Sequence, residues 1–290
     1  MGHALLFQGI VGLSEAMYLW LVAAGLSLIF GVLRVLNFAH GGLYMLGAYF
    51  AFAVSRASGG SFWMALLVGP LLVAAVGWVM EFGFLRRVYR AEVSVQLLLT
   101  FAFVLIFDDL VKLVFGPVYQ SPPTPAALSG AVSIGGSSVL PVYHLFILGV
   151  GVLVGLGLWV FLERTRFGLV IRATAADREM ACALGVRSSR LFTWVFVLGA
   201  WLAGLGGALS MPVRAISPGM GEFIIIEAFV VVVLGGLGSL RGAFLGAVLI
   251  GLLHAYGILF LPVFELALAY VAMAAVLVVR PWGLFGVRET

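Results

Sequence analysis

Charge is what this chain of 290 residues has least of: Asp, Glu, Lys and Arg together make up 10% of it. A water-soluble domain carries about a quarter charged residues, so this chain lacks the polar surface to be one. Lysine occurs once, at Lys112, and the remaining basic residues are 15 arginines set against 12 acids. These charges fall between long apolar runs and form no continuous basic face, which argues against nucleic acid as a partner. The single cysteine, Cys182, excludes an internal disulfide and a cysteine-based metal cluster. The motifs G-x-x-x-x-G-K-[ST], H-E-x-x-H and G-x-S-x-G are all missing, so the chain has no P-loop for ATP and no hydrolase signature. No catalytic residue, metal site or cofactor is expected. Met1 to Gly9 contains no Lys or Arg. It lacks the basic region of a cleaved signal peptide, and the first apolar stretch is expected to be retained.

What the chain has instead is hydrophobicity, 63% by residue, and 38 glycines. A bilayer core is crossed by roughly 20 apolar residues in a helix. Runs of that kind cover 10–33, 42–55, 62–85, 94–115, 142–162, 191–212, 242–261 and 263–279. A ninth, 223–239, contains Glu227 with Gly235, Gly236 and Gly238, and reads as a full crossing or a re-entrant helix. The expected fold is all-α: one polytopic transmembrane bundle over residues 1–290, with eight or nine spans, some of them broken.

Arginine sets the expected orientation. With the N-terminus outside and nine crossings, the cytoplasmic loops hold Arg34, Arg86, Arg87, Arg90, Arg164, Arg166, Arg172, Arg178, Arg187, Arg190, Arg241, Arg280 and Arg288, and the outer side keeps Arg56, Lys112 and Arg214. Thirteen against three is a strong positive-inside bias, favouring a periplasmic N-terminus and a cytoplasmic C-terminus. Residues 116–141 hold five of the ten prolines and read as an outer loop. Residues 163–190 form the longest cytoplasmic loop.

Polar residues inside apolar runs are costly, at least ~2.5–3.5 kcal/mol for a charge at mid-bilayer. Asp108 and Lys112 stand at i and i+4 and are expected to neutralise one another. Glu227, isolated among isoleucines and valines, should face the bundle interior or a water-filled cavity. Asn37, His40 and Gly41, with Phe38, Ala39 and Gly42 around them, interrupt an otherwise apolar run, and Gly235, Gly236 and Gly238 do the same in the second half. Non-helical backbone at membrane depth survives where protein or a water-filled cavity satisfies it, and paired interruptions in two halves point to a transport path. These residues are the candidates for a path or gate; two ordinary cytoplasmic turns is the plainer alternative. Gly199, Ala203 and Gly207, at spacing four, make a ridge of small residues suited to close helix packing.

The loop from Arg172 to Val186 is alanine-rich, which favours a short helix. Asp177 and Glu179 lie near its start and Gly185 supplies a stop. Within it, Glu179, Ala181 and Gly185 resemble the E-A-A-x-x-x-G loop of ABC importer permeases, with Met180 in place of the first Ala. Gly25 to Gly41, continuing to Tyr49, resembles the first block of branched-chain amino-acid ABC permeases, and Glu227 to Ser239, continuing to Gly246, resembles their last. The chain is similar to the H-type subunit of that family. The resemblance implies a membrane subunit of a bacterial importer in the inner membrane. Such a subunit works with a second homologous permease, two P-loop ATPase subunits and a periplasmic substrate-binding protein. It further implies that Arg172, Asp177, Arg178, Glu179, Ala181, Gly185 and Val186 form the coupling segment that docks on the ATPase. Related permeases carry urea or short amides, so the substrate class stays open between these and branched-chain amino acids. An ion-coupled secondary transporter would need Glu227 or the Asp108/Asp109 pair as its coupling site. A membrane enzyme would need clustered catalytic polar residues, of which there are none.

Overall fold

The computed structural model describes residues 2–135 and 138–286. Arg288 and the C-terminal Thr290, which the orientation assigns to the cytoplasm, lie outside the described residues. The chain is a helical bundle: α1 (Gly2–Leu33), α2 (Ala39–Ala57), α3 (Phe62–Met80), α4 (Arg86–Val88), α5 (Val93–Phe115), α6 (Val142–Arg164), α7 (Arg166–Ala176), α8 (Arg178–Ala183), α9 (Ser188–Ser210), α10 (Met220–Gly235), α11 (Leu240–Phe260) and α12 (Glu265–Val279). Glu81–Leu85, joining α3 to α4, is one wide π turn.

All nine expected apolar segments are helical. Six stretches are long and apolar enough to cross a membrane among the described residues: Gly2–Leu33, Phe62–Val88, Val142–Arg164, Ser188–Ser210, Leu240–Phe260 and Pro262–Val279. The helices α2, α5 and α10 fall outside that set. With 16 residues, α10 is shorter than a bilayer crossing needs. Its ends also differ from expectation: Met220 starts it, and Gly236 and Gly238 form the turn that follows. The interruption near residue 40 lies upstream of where the sequence suggests. Residues 34–38 are non-helical, while His40, Gly41 and Gly42 belong to the first turn of α2. The proline-rich loop after α5 holds an unexpected β-hairpin, β1 (Ala131–Gly135) against β2 (Ser138–Pro141).

Lipid tails are as apolar as leucine, so close packing rather than water exclusion joins these helices. The central helix is α1, buried from Ala16 to Ile29 and packed on α6, α9, α10 and α11. Small residues allow this. A Cβ on Gly25 would lie 2.6 Å from the Gly199 carbonyl of α9, and one on Gly12 2.7 Å from the Gly251 carbonyl of α11. The small-residue ridge of α9 thus serves packing against α1 and α2, with Gly204 backbone against Gly47.

Two ends of the bundle are marked by polar contacts. Glu163, at the close of α6, pairs with Arg172 of α7 and with Arg241 of α11 at 3.6 Å. This fixes one basic end. At the other, Asp108 pairs with Lys112 at 2.5 Å, as the spacing predicts, and also accepts a hydrogen bond from the Gly219 amide at 2.5 Å. A carboxylate there caps α10 where the helix dipole favours negative charge.

Candidate functional site

The α7–α8 segment is built from local caps. Thr165 Oγ1 accepts from the Gly168 amide at 3.0 Å and starts α7. The Asp177 carboxylate accepts from the Met180 amide at 2.9 Å and starts α8, so Asp177 separates two helices instead of sitting inside one. Gly185 ends α8 with φ +93°. The Val186 amide reaches back to the Ala181 carbonyl at 3.1 Å and the Gly185 amide to Cys182 at 3.0 Å. That is a Schellman closure, whose left-handed residue is best filled by glycine. Ala181 packs inward, while Asp177, Arg178, Glu179 and Gly185 are exposed. The outer face of α8 also carries Met180 and Leu184, 58% and 80% exposed at spacing four, an exposed apolar pair that the sequence motif does not mention. Arg172 stands apart from this face, held by Glu163.

A polar network ties α8 to the bundle. The Arg178 guanidinium lies 4.7 Å over the ring of Phe192 in α9. Tyr89 meets the same ring edge-on at 5.4 Å and donates its hydroxyl proton to Glu81 Oε1 at 2.8 Å. Burial, together with the carboxylate beside it, pushes the Tyr89 hydroxyl well above the usual phenol range, so it stays a donor. Glu81 is fully buried and also faces Arg86 at 3.6 Å. Arg86 in turn donates to Thr193 Oγ1 at 2.6 Å. Nothing in the sequence pattern singles out Glu81 or Tyr89.

Asn37 and His40 are both fully buried. His40 Nε2 donates to the Val22 carbonyl at 3.0 Å. Val22 stands eleven residues before the end of α1, about 16 Å up the helix at 1.5 Å per residue, so α2 begins well inside the bundle. The Asn37 amide has no partner on either side-chain atom among the described residues. Gly41 packs on Gly221 and Ile225 of α10, and Phe38 on Phe229, ring centroids 5.1 Å apart. Gly235, Gly236 and Gly238 gather elsewhere. Gly235 lies against Gly242, Gly238 against Gly31, and Gly236 against the returning C-terminal segment. In that segment the Leu284 and Phe285 amides bond the Leu234 and Gly235 carbonyls, both at 2.9 Å. The two interruptions therefore sit at opposite ends of α10, about 21 Å apart along its axis.

Glu227 is half-buried. It lies within electrostatic reach of Arg214, Tyr18, Tyr44 and Glu15. The Arg214 guanidinium stands 5.1 Å over the Tyr18 ring, and Tyr44 donates to Ser210 Oγ at 2.7 Å. An arginine assigned by the sequence only to an outer loop thus turns inward and joins two acids and two phenols between α1, α2, α9 and α10. Among the described residues no three His, Cys, Asp or Glu side chains gather to hold a metal ion.

Residues 10–280 match the family described as the branched-chain amino acid transport system permease component. The chain is 31% identical to the high-affinity branched-chain amino acid transport system permease protein BraD of Pseudomonas aeruginosa, over 97% of this chain and 96% of that protein. It is 29% identical to the corresponding LivH protein of Escherichia coli, over 93% and 91%. Similarity extends to the Escherichia coli permease protein LivM, 28% identical over 84% of this chain and 62% of that one.

Proposed function

The chain belongs to the branched-chain amino acid transport permease family, and on that premise we propose that it is the membrane-spanning subunit of an ABC importer carrying branched-chain or related amino acids inward. The observation that carries the ABC reading is α8: a short, doubly capped helix with Met180 and Leu184 turned outward, suited to a groove on an ATPase. Energy then comes from two P-loop ATPase subunits. ATP-driven closure pulls on α8, and the Arg178–Phe192 stack and the Tyr89–Glu81 bond pass the movement to α9 and α3. Similarity to both LivH and LivM, two permease proteins of one organism, supports pairing with a second homologous permease. A periplasmic binding protein delivers the solute.

In this reading the N-terminus is periplasmic, the basic end faces the cytoplasm, and α2, α5 and α10 complete the crossing with α10 as a broken helix. The cluster of Glu15, Arg214 and Glu227 lies toward the outer end of the path. It offers both signs of charge, as a zwitterionic amino acid requires. Asn37, His40 and Gly41 at one end of α10, and Gly235, Gly236 and Gly238 at the other, act as the gate of that path.

Uptake in cells carrying the gene with its neighbouring transport genes tests the proposal. Deleting this gene alone should abolish ATP-dependent uptake of labelled leucine, isoleucine and valine, and plasmid-borne chain should restore it. Loss of urea uptake with leucine uptake intact would reassign the substrate. Leucine uptake that survives depletion of ATP but collapses with the proton gradient would overturn the ABC reading.

A further inference from the structure

Beside the central helix a cavity of about 680 Å³ opens between α1, α6, α7 and α11. Its walls are apolar, with Trp20, Leu28, Gly155, Leu158, Trp159 and Phe244 among them, and Phe244 meets Trp20 edge-on at 5.5 Å. Its mouth is polar: Glu163, Arg172, Ser239 and Arg241. Along α6 the lining runs from Gly151 to Glu163, and along α1 from Trp20 to Val32. Each stretch spans twelve residue steps, or about 18 Å at 1.5 Å per residue. Half of a ~30 Å hydrocarbon core is about 15 Å. The cavity is therefore one leaflet deep, apolar where the leaflet is oily and charged where its headgroups lie.

The charge at the mouth has a sign. One carboxylate, Glu163, is shared by two guanidinium groups, which leaves a net positive charge. The Arg241 side chain is 75% exposed and keeps free N–H groups to offer. Next to it α11 begins, with Ser239 accepting from the Gly242 amide at 3.1 Å, and a helix start adds positive potential. Size excludes a helix of a partner subunit as the occupant. A helix 10–12 Å wide and this long fills roughly 1,400–2,000 Å³, two to three times the space present. The volume instead falls among pockets that hold single small molecules, ~300–1,000 Å³.

We infer that this cavity binds one acyl chain of an anionic glycerophospholipid of the leaflet at the basic end, that chain lying along α1 and α6, the second chain remaining in the surrounding bilayer and the phosphate at Arg241 and Arg172. The assignment does not depend on which solute is transported. By tying α6, α7 and α11 together at the mouth, a bound lipid holds the segment that leads into α8.

Native mass spectrometry of the full-length chain, delipidated and then titrated with phosphatidylglycerol or with phosphatidylcholine of the same acyl chains, tests it. One phosphatidylglycerol per chain should be retained, at least tenfold more tightly than phosphatidylcholine. Arg241→Gln should reduce that headgroup preference about tenfold. Leu156→Trp, placed on a lining residue that is 60% exposed, should expel both lipids while leaving helix content and the unfolding temperature unchanged. Equal retention of the two lipids by the unaltered chain would overturn the assignment. So would binding that neither substitution changes.

Discussion

The guanidinium of Arg178 in α8 lies 4.7 Å over the ring of Phe192 in α9, a direct side-chain link between the exposed helix and a buried one. A cation–π contact of this kind contributes roughly 0.5–2 kcal/mol, enough to transmit a pull without welding the two helices together. Arg178→Ala should lower substrate-stimulated ATP hydrolysis by the assembled transporter severalfold at unchanged expression. Phe192→Leu should do the same, and the double variant should be no worse than either. The readout is ATPase activity in nanodiscs with and without binding protein; additive losses would show that the two residues act separately.

Gly185 tests the shape of α8 as distinct from its surface. It has φ +93°, and a Cβ there would meet nothing within 4 Å. The position is thus restricted by backbone conformation, with open space around it. Asparagine tolerates the left-handed region and valine does not. Gly185→Asn should keep most uptake, whereas Gly185→Val should release the ATPase from membranes, followed by co-purification. Equal damage from both would mean that the partner covers the glycine itself.

The contrast between these two residues indicates what a sequence exposes. Gly185 is legible as a helix stop because capping acts over three to five residues, whereas Asp177, expected within one helix, divides two; the apolar runs are legible because each helix satisfies its own backbone in lipid. The pairs that build the site are not local. Asp108 meets Gly219 across 111 positions, His40 meets Val22 through a chain reversal, and Glu81 acquires its role from Tyr89 and Arg86 together. Arg214 counts as an outer-loop charge until the chain turns it onto Tyr18. The hairpin at 131–141 was hidden for a related reason, since prolines and glycines around it read as plain loop.

Asp108 and Asp109 are adjacent in sequence and unequal in structure. Asp108 is mostly buried, paired with Lys112 and bound to the Gly219 amide, while Asp109 is 80% exposed. Asp108→Asn removes the charge from a charge-assisted bond and from the start of α10, at a cost of about 1–2 kcal/mol. Thermal unfolding in detergent should show a lower Tm for Asp108→Asn and a change within ~0.5 kcal/mol for Asp109→Asn. A Tm lowered equally by both would remove the cap from the account of α10.

Orientation follows from reporter fusions at two exposed positions. A fusion after Ala126, in the proline-rich loop, should report the periplasm, and one after Arg178 the cytoplasm. The arginine asymmetry is carried by loops on the α7–α8 side, so a cytoplasmic signal at Ala126 would invert the whole assignment, including the side on which α8 meets an ATPase.

Asn37 and His40 separate a gate from a structural lock, because both are buried but, among the described residues, only the His40 side chain has a hydrogen-bond partner. The His40 ring holds Val22 and fills the space between α1 and α2 beside Gly25. His40→Ala should therefore cost roughly 2–4 kcal/mol, as large-to-small core changes do, and lower the amount of folded protein. The Asn37 amide is buried without a partner, and an unsatisfied buried polar group destabilises the state that contains it. Asn37→Ala should leave the amount of folded protein unchanged or higher. On the gate reading, water or solute reaches this side chain when α1 and α2 separate, so uptake should fall severalfold in that variant. A cysteine probe follows the same movement from the other end of α10. Gly41 cannot carry one, since a side chain there would run into the Gly221 backbone. Leu237, 46% exposed, accepts Leu237→Cys once Cys182 is replaced by serine. Its labelling by a thiol reagent should change when the ATPase is trapped with nucleotide. Identical labelling in both states, together with normal uptake by Asn37→Ala, would reduce these residues to helix turns locked in place.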